Sequence, residues 1–141
     1  MTGYFKSLWK QVKSPKKTLA VVVRGSDYSC TWGSGTLDGK QAMHVVGRLT
    51  ATNISKLGVL PTSAMMRKPK LAGQVITKKH DEITYGEYII SPGHITNLMV
   101  TFWISPPIKE KGETFTADIA VVDQFDNHHW IEKVAFQSSS S

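Results

Sequence analysis

The stretch that most restricts the fold is residues 95–136, ITNLMVTFWISPPIKEKGETFTADIAVVDQFDNHHWIEKVAF. Leu98, Val100, Phe102 and Ile104 alternate with Asn97, Met99, Thr101 and Trp103. Phe115, Ala117, Ile119 and Val121 alternate with Thr116, Asp118, Ala120 and Val122. A period of two is the mark of strands with one buried face, because successive Cβ atoms point to opposite sides of a sheet. Gln124 to Asn127 reads as a turn, and His129 to Phe136 as the strand that closes the unit. Its even row is Trp130, Glu132, Val134 and Phe136. Glu132 conflicts with that apolar row, and a bulge or an edge position would resolve the conflict.

Upstream the same grammar continues. Leu19 to Arg24 and Tyr28 to Trp32 read as strands. Gly33-Ser34-Gly35 and Asp38-Gly39 frame a loop or tight hairpin. Ala42 to Asn53 reads as a long strand, with Gly47 marking a bulge. Gly58 to Lys68 and Lys70 to Thr77 follow as strands, Lys78 to Glu82 as a polar connection, and Thr84 to Ile90 as a short strand. Ser91-Pro92-Gly93 is a turn, with proline presetting φ. The count is seven to nine strands in a chain of 141 residues, long enough for one ordinary core. The expected fold is an all-β, immunoglobulin-like antiparallel β-sandwich. A closed barrel is the alternative.

The charge is segregated. Lys6, Lys10, Lys13, Lys16 and Lys17 put +5 on the first 17 residues with no acid, whereas the whole chain carries +6. In residues 3–13, Tyr4, Phe5, Leu8, Trp9 and Val12 share one face of a helix, with Lys6, Lys10 and Lys13 on the other. Thr2 suits an N-cap, and Ser14-Pro15 ends the segment. Residues 1–17 are therefore expected as a basic amphipathic helix and linker, 18–136 as the sandwich, and 137–141 as a disordered polar tail. Three surfaces suit such a helix: its own sandwich, a partner's groove, or an anionic membrane.

The run GRLTATNISKLGVLPTSAMMRKP resembles the middle of small immunoglobulin-like modules, in which a strand ends in Thr-Asn, turns, and returns as an alternating strand. FTADIAVVDQFDN followed by HHWIEKVAF is similar to their last hairpin. The resemblance spans residues 19–136 in architecture and implies binding to other proteins. The chain departs from antibody-type domains in having one cysteine, Cys30, with Trp32 two residues away. That cysteine reads as a buried structural thiol, and its solitude favours a reducing, cytoplasmic location.

Chemistry-bearing motifs are sparse. His128 and His129 lie near Asp123 and Asp126, but on a strand adjacent histidines point apart, and no zinc-ligand spacing accompanies them. Gly33-Ser34-Gly35 matches neither a nucleophile elbow nor a phosphate loop. No enzyme activity and no cofactor are expected. Arg67, Lys68, Lys70, Lys78 and Lys79 form a second basic cluster, with no acid between 67 and 79. It reads as an anion-binding face or as a lysine-protected edge. No aromatics are interleaved with it, which argues against single-stranded nucleic acid. Met99, Trp103 and Val122, on rows opposite the core, form a candidate interface patch. The expected role is a non-enzymatic protein-interaction module, scaffold or assembly subunit, partnered by another protein or itself. The alternatives are a peripheral membrane protein held by the N-terminal helix and a basic nucleic-acid-associated protein.

Overall fold

A computed structural model describes residues 17–25, 29–79, 82–85 and 88–139. Within them the chain is all-β. The strands are β1 (Leu19–Val23), β2 (Cys30–Leu37), β3 (Lys40–Asn53), β4 (Pro61–Arg67), β5 (Leu71–Lys79), β6 (Glu82–Tyr85), β7 (Ile95–Ile104), β8 (Phe115–Asp123) and β9 (His128–Ser138). The amphipathic segment over residues 3–13 lies outside the described residues.

Strand pairing runs in a ring. β3 pairs with β7, β7 with β5, β5 with β4, β4 with β8, β8 with β9, and β9 returns to β2, which pairs with β3. All these pairs are antiparallel except β2–β9, so the sheet is mixed and not purely antiparallel as expected. The pairs fall into two groups, one of β4, β8, β9 and the start of β5 and the other of β1, β2, β3, β6, β7 and the rest of β5, and the groups are joined through β5 and β9. β3 has 14 residues, about 45 Å of strand, so one of its edges holds β1 along 49–53 and β2 along 40–47. The β2–β3 hairpin turns at Asp38-Gly39, both with positive φ, as such two-residue loops require.

Two corners join the ring. At the first, Gly73 pairs with Ala64 of β4 while Gln74 pairs with Thr101 of β7. A Cβ on Gly73 would lie 2.3 Å from the Thr101 carbonyl oxygen and 2.5 Å from the Phe102 ring. Only glycine lets β5 cross there. At the second corner Gln137 and Ser138 pair with Thr31 and Trp32, and the Ser139 amide donates to the Trp32 carbonyl at 2.8 Å. Residues 137–139, expected as a disordered tail, thus help close the ring: backbone pairing, not side-chain hydrophobicity, recruits them.

The expected bulge is present in β9. Ala117 faces Val134 and Ile119 faces Ile131, so Glu132 and Lys133 together oppose Asp118. Lys133 takes φ 54°, and its amide donates to Asp118 Oδ1 at 2.8 Å. The extra residue inverts the strand's parity. Val134 and Phe136 are buried on the core side, while Trp130 is half-buried and Glu132 exposed. Gly47 marks no bulge, since β3 keeps register on both edges. A Cβ there would meet Val100, Ile119 and Phe136 at 3.1–3.5 Å, so the missing side chain makes room for the opposite wall.

The interior is filled by Trp32, Met43, Leu49, Met66, Leu98, Phe102, Ile119 and Phe136, all essentially inaccessible. Each such side chain contributes about 1.5–3 kcal/mol by leaving water. Cys30 is buried and unpaired with any other cysteine. The Trp32 indole nitrogen donates to the Glu113 carbonyl at 2.8 Å, which satisfies the one polar atom of that ring. β5 runs to Lys79, further than expected, and β6 ends at Tyr85, with Ile90 held by an isolated bridge to Val59.

Candidate functional site

Three adjacent strands, β4, β8 and β9, build a cleft on the outer surface. In the pleat, Met65 of β4, Ala120 of β8 and Trp130 of β9 form one cross-strand row. Ala120 is the smallest of the three, so the indole can lean across β8. The next row pairs Arg67 with Asp118. Arg67 Nη1 lies 3.3 Å from Asp118 Oδ2, and the guanidinium carbon lies 3.6 Å from the centre of the Trp130 ring. The other oxygen of Asp118 accepts the bulge amide of Lys133. One carboxylate therefore braces both the bulge and the arginine that stacks on the tryptophan.

Lys68 and Lys70, in the β4–β5 turn, extend this surface. The cleft has a volume of about 490 Å³ and is lined by Met65, Met66, Arg67, Lys68, Lys70, His128 and Trp130. No acid lines it. His128 stands at its rim, its Nε2 3.4 Å from Asp126 Oδ1 and its ring 6.3 Å from that of Trp130. The result is an apolar floor of tryptophan and methionine beside Arg67, which Asp118 pairs, and the exposed Lys68 and Lys70. It is suited to an anionic group attached to an apolar one. It contains no nucleophile within reach of a base.

Of the basic cluster read from the sequence, Arg67, Lys68 and Lys70 meet here. Lys78 and Lys79 do not. β5 is extended, so Lys78 lies eight positions and about 26 Å along the strand from Lys70. The aromatic that the sequence did not place beside the cluster comes from β9, 63 residues after Arg67. An outward tryptophan beside Glu132 was its one local trace, and the unplaced bulge hid it.

The Met99, Trp103 and Val122 patch separates. Met99 and Trp103 share the outer face of β7, half-buried and 38% exposed respectively. Trp103 stacks on His44, with centroids 4.3 Å apart and planes 16° from parallel, and its edge lies over the backbone of Gly35. Burial lowers the His44 pKa below its ordinary value. Val122 belongs to a different wall and is 5% exposed, between Ser63 of β4 and His128 of β9. Its outward position did not expose it because both flanking strands carry side chains over it. Tyr4, Phe5, Lys6, Leu8, Trp9, Lys10, Val12 and Lys13 lie outside the described residues.

A second constellation was not anticipated. Thr18, Asp123 and His129 meet where β1 begins and β8 turns into β9, and all are buried. The Thr18 hydroxyl donates to Asp123 Oδ2, and His129 Nε2 lies 3.1 Å from the same oxygen and 3.0 Å from the hydroxyl. Asp123 Oδ1 accepts the amides of Phe125 and Asn127 at 2.9 and 3.0 Å. Burial raises the carboxyl pKa, but these hydrogen bonds outweigh it and the net shift is downward. The residue types are those of a hydrolase triad. The geometry is not: the hydroxyl donates its hydrogen bond to the carboxylate, and Thr18 is fully buried. This cluster ties the start of β1 to the β8–β9 turn. His128 and His129 do point to opposite faces, each with its own aspartate.

No family model matches the sequence, and no curated protein matches it significantly. Among the described residues no helix is long and apolar enough to cross a membrane.

Proposed function

We propose that this chain is a non-enzymatic protein-interaction module whose β4–β8–β9 cleft binds an acidic, extended segment of another protein. The observation that carries this reading is the Arg67–Trp130 stack flanked by Lys68 and Lys70, with no carboxylate lining the cleft. Arg67 and Trp130 are the residue types that dominate binding energy at protein interfaces. An acidic peptide is favoured over a nucleic-acid strand because the cleft holds one tryptophan, already covered by Arg67 on one face. Single-strand binding uses successive aromatic platforms.

A fluorescein-labelled peptide of alternating Glu and Leu tests the reading by anisotropy, with an oligo-thymidine of equal charge as comparison. Wild type should bind the peptide, with affinity falling as salt rises. Lys68→Glu with Lys70→Glu should weaken it by about tenfold or more, since two reversed charges face the ligand. Equal peptide affinity in that variant, or binding of the oligonucleotide alone, would overturn the assignment.

A further inference from the structure

β3 changes neighbours at Arg48. Its edge away from β7 holds β1 up to the pair Val23–Leu49 and takes up β2 at the pair Cys30–Gly47. At the junction the Arg24 amide donates to the Arg48 carbonyl at 3.1 Å, and the Arg48 amide donates to the Ser29 carbonyl at 3.1 Å. The Ser29 hydroxyl donates to the Arg24 carbonyl at 3.0 Å and ties together the two ends of the loop between the strands. Arg24 is thereby fixed directly opposite Arg48, and partners across an antiparallel pair share a face. The buried row of β3 is Met43, Val45, Leu49 and Ala51, so both arginines belong to the outer face, each half-buried.

Like charges set opposite one another in a sheet repel. The surrounding strands supply nothing to relieve them: β1, β2, β3, β5 and β7 contain no aspartate or glutamate. The ion pairs among the described residues are Arg67–Asp118, His128–Asp126 and His129–Asp123, and none includes Arg24 or Arg48. Arg48 Nη1 reaches only a neutral acceptor, the Ser29 carbonyl, at 3.3 Å. Arg24 Nε is buried and has no hydrogen-bond partner among the described residues. A buried N–H without an acceptor is uncommon in folded proteins and is itself destabilising. One bound anion would remove the repulsion and supply the acceptor. The neighbours on this face are neutral. Met99 of β7 stands opposite Arg48, and one step along the face Thr50 donates to Asn97 Oδ1 at 3.2 Å.

We infer that Arg24 and Arg48 form a binding site for a dianionic tetrahedral oxyanion, the phosphate or sulfate group of a small molecule or the free ion. Paired guanidinium groups match such a group in charge and in the number of acceptor oxygens their forked N–H donors can reach. A carboxylate carries a single charge and would leave one arginine uncompensated. The site lies on β1 and β3, apart from the β4–β8–β9 cleft, whose own arginine is already paired by Asp118.

The test is the nitrogen–proton correlation spectrum of the arginine Nε–H groups of the full chain, in a buffer whose only other anion is chloride. Sodium phosphate, sodium sulfate, glycerol phosphate and sodium acetate are titrated in separately at constant ionic strength. The Arg24 cross-peak, assigned with Arg24→Lys, should move saturably with phosphate, sulfate or glycerol phosphate, with a dissociation constant of about 1 mM or below, and little with acetate. The tightest of the three names the source of the oxyanion. Arg48→Gln should weaken that binding by about tenfold or more, since half of the charge-assisted donors are gone. Its thermal melt in chloride should be no lower than that of wild type, because the repulsion has been removed. Lys68→Gln with Lys70→Gln, in the cleft, should leave the Arg24 titration unchanged. No saturable movement in wild type, equal affinity in Arg48→Gln, a lower melt for that variant in chloride, or equal movement with acetate would overturn the inference. So would a response confined to Asp27→Asn: Asp27 belongs to 26–28, outside the described residues, and would then be the pair's own counter-ion.

Discussion

Replacing Asp123 with alanine removes the acceptor of five donors in one step. Three of them, the backbone amides of Phe125 and Asn127 and the Asn127 side-chain amide, belong to a half-buried turn that water can enter once the carboxylate is gone. The other two, the Thr18 hydroxyl and the His129 ring, are buried and would be left without that acceptor. Counting only these at about 1.5–3 kcal/mol each for hydrogen bonds to a charged group gives a cost of about 3–6 kcal/mol. Domains of this size are stable by about 5–15 kcal/mol, so the variant should fold but unfold at much lower urea. Asp123→Asn should cost less, about 1–2 kcal/mol, because its oxygen keeps both amides and its amide nitrogen can donate to Thr18 and His129. The pH dependence adds a second check. The folded-state pKa of Asp123 lies below the ordinary 3.8, so its contribution is full above that value and is lost as pH falls through the folded pKa. The gap between wild type and Asp123→Ala, read by tryptophan fluorescence in urea, should therefore be widest at neutral pH and narrow toward about pH 2. A cost below about 0.5 kcal/mol at neutral pH, the range of surface substitutions, would refute the reasoning. A gap that does not shrink in acid would do the same.

Gly73→Ala places a methyl group against a backbone carbonyl that no rotamer change can move, so it should destabilise by at least about 1–3 kcal/mol in a thermal or urea melt. A neutral result would mean that β5 does not cross between β4 and β7 at that residue. Phe102→Ala should cost about 3–5 kcal/mol, since the ring is 1% exposed and packs at the same corner. A cost typical of the surface would place β7 in the opposite face orientation.

Strand content, the buried rows of β7 and β8, the Asp38-Gly39 hairpin and the presence of a fault at Glu132 were all legible in the sequence, because each is local. Alternation needs only neighbouring residues, and a two-residue turn needs only its own dihedrals. What the tertiary structure decided is which strands meet. The parallel return of β9 to β2 rests on backbone groups of a serine-rich end, to which hydrophobicity is blind. The bulge at Lys133 shifts parity by one, and that single step moved Trp130 from the expected core row to the surface beside Arg67. Val122 shows the converse, an outward residue buried by its neighbours on β4 and β9. Thr18, Asp123 and His129 span more than a hundred residues and meet only because the ring closes. Period-two patterning names a face for each residue, but pairing across the sheet determines what that face touches, and pairing is set by contacts far apart in the chain.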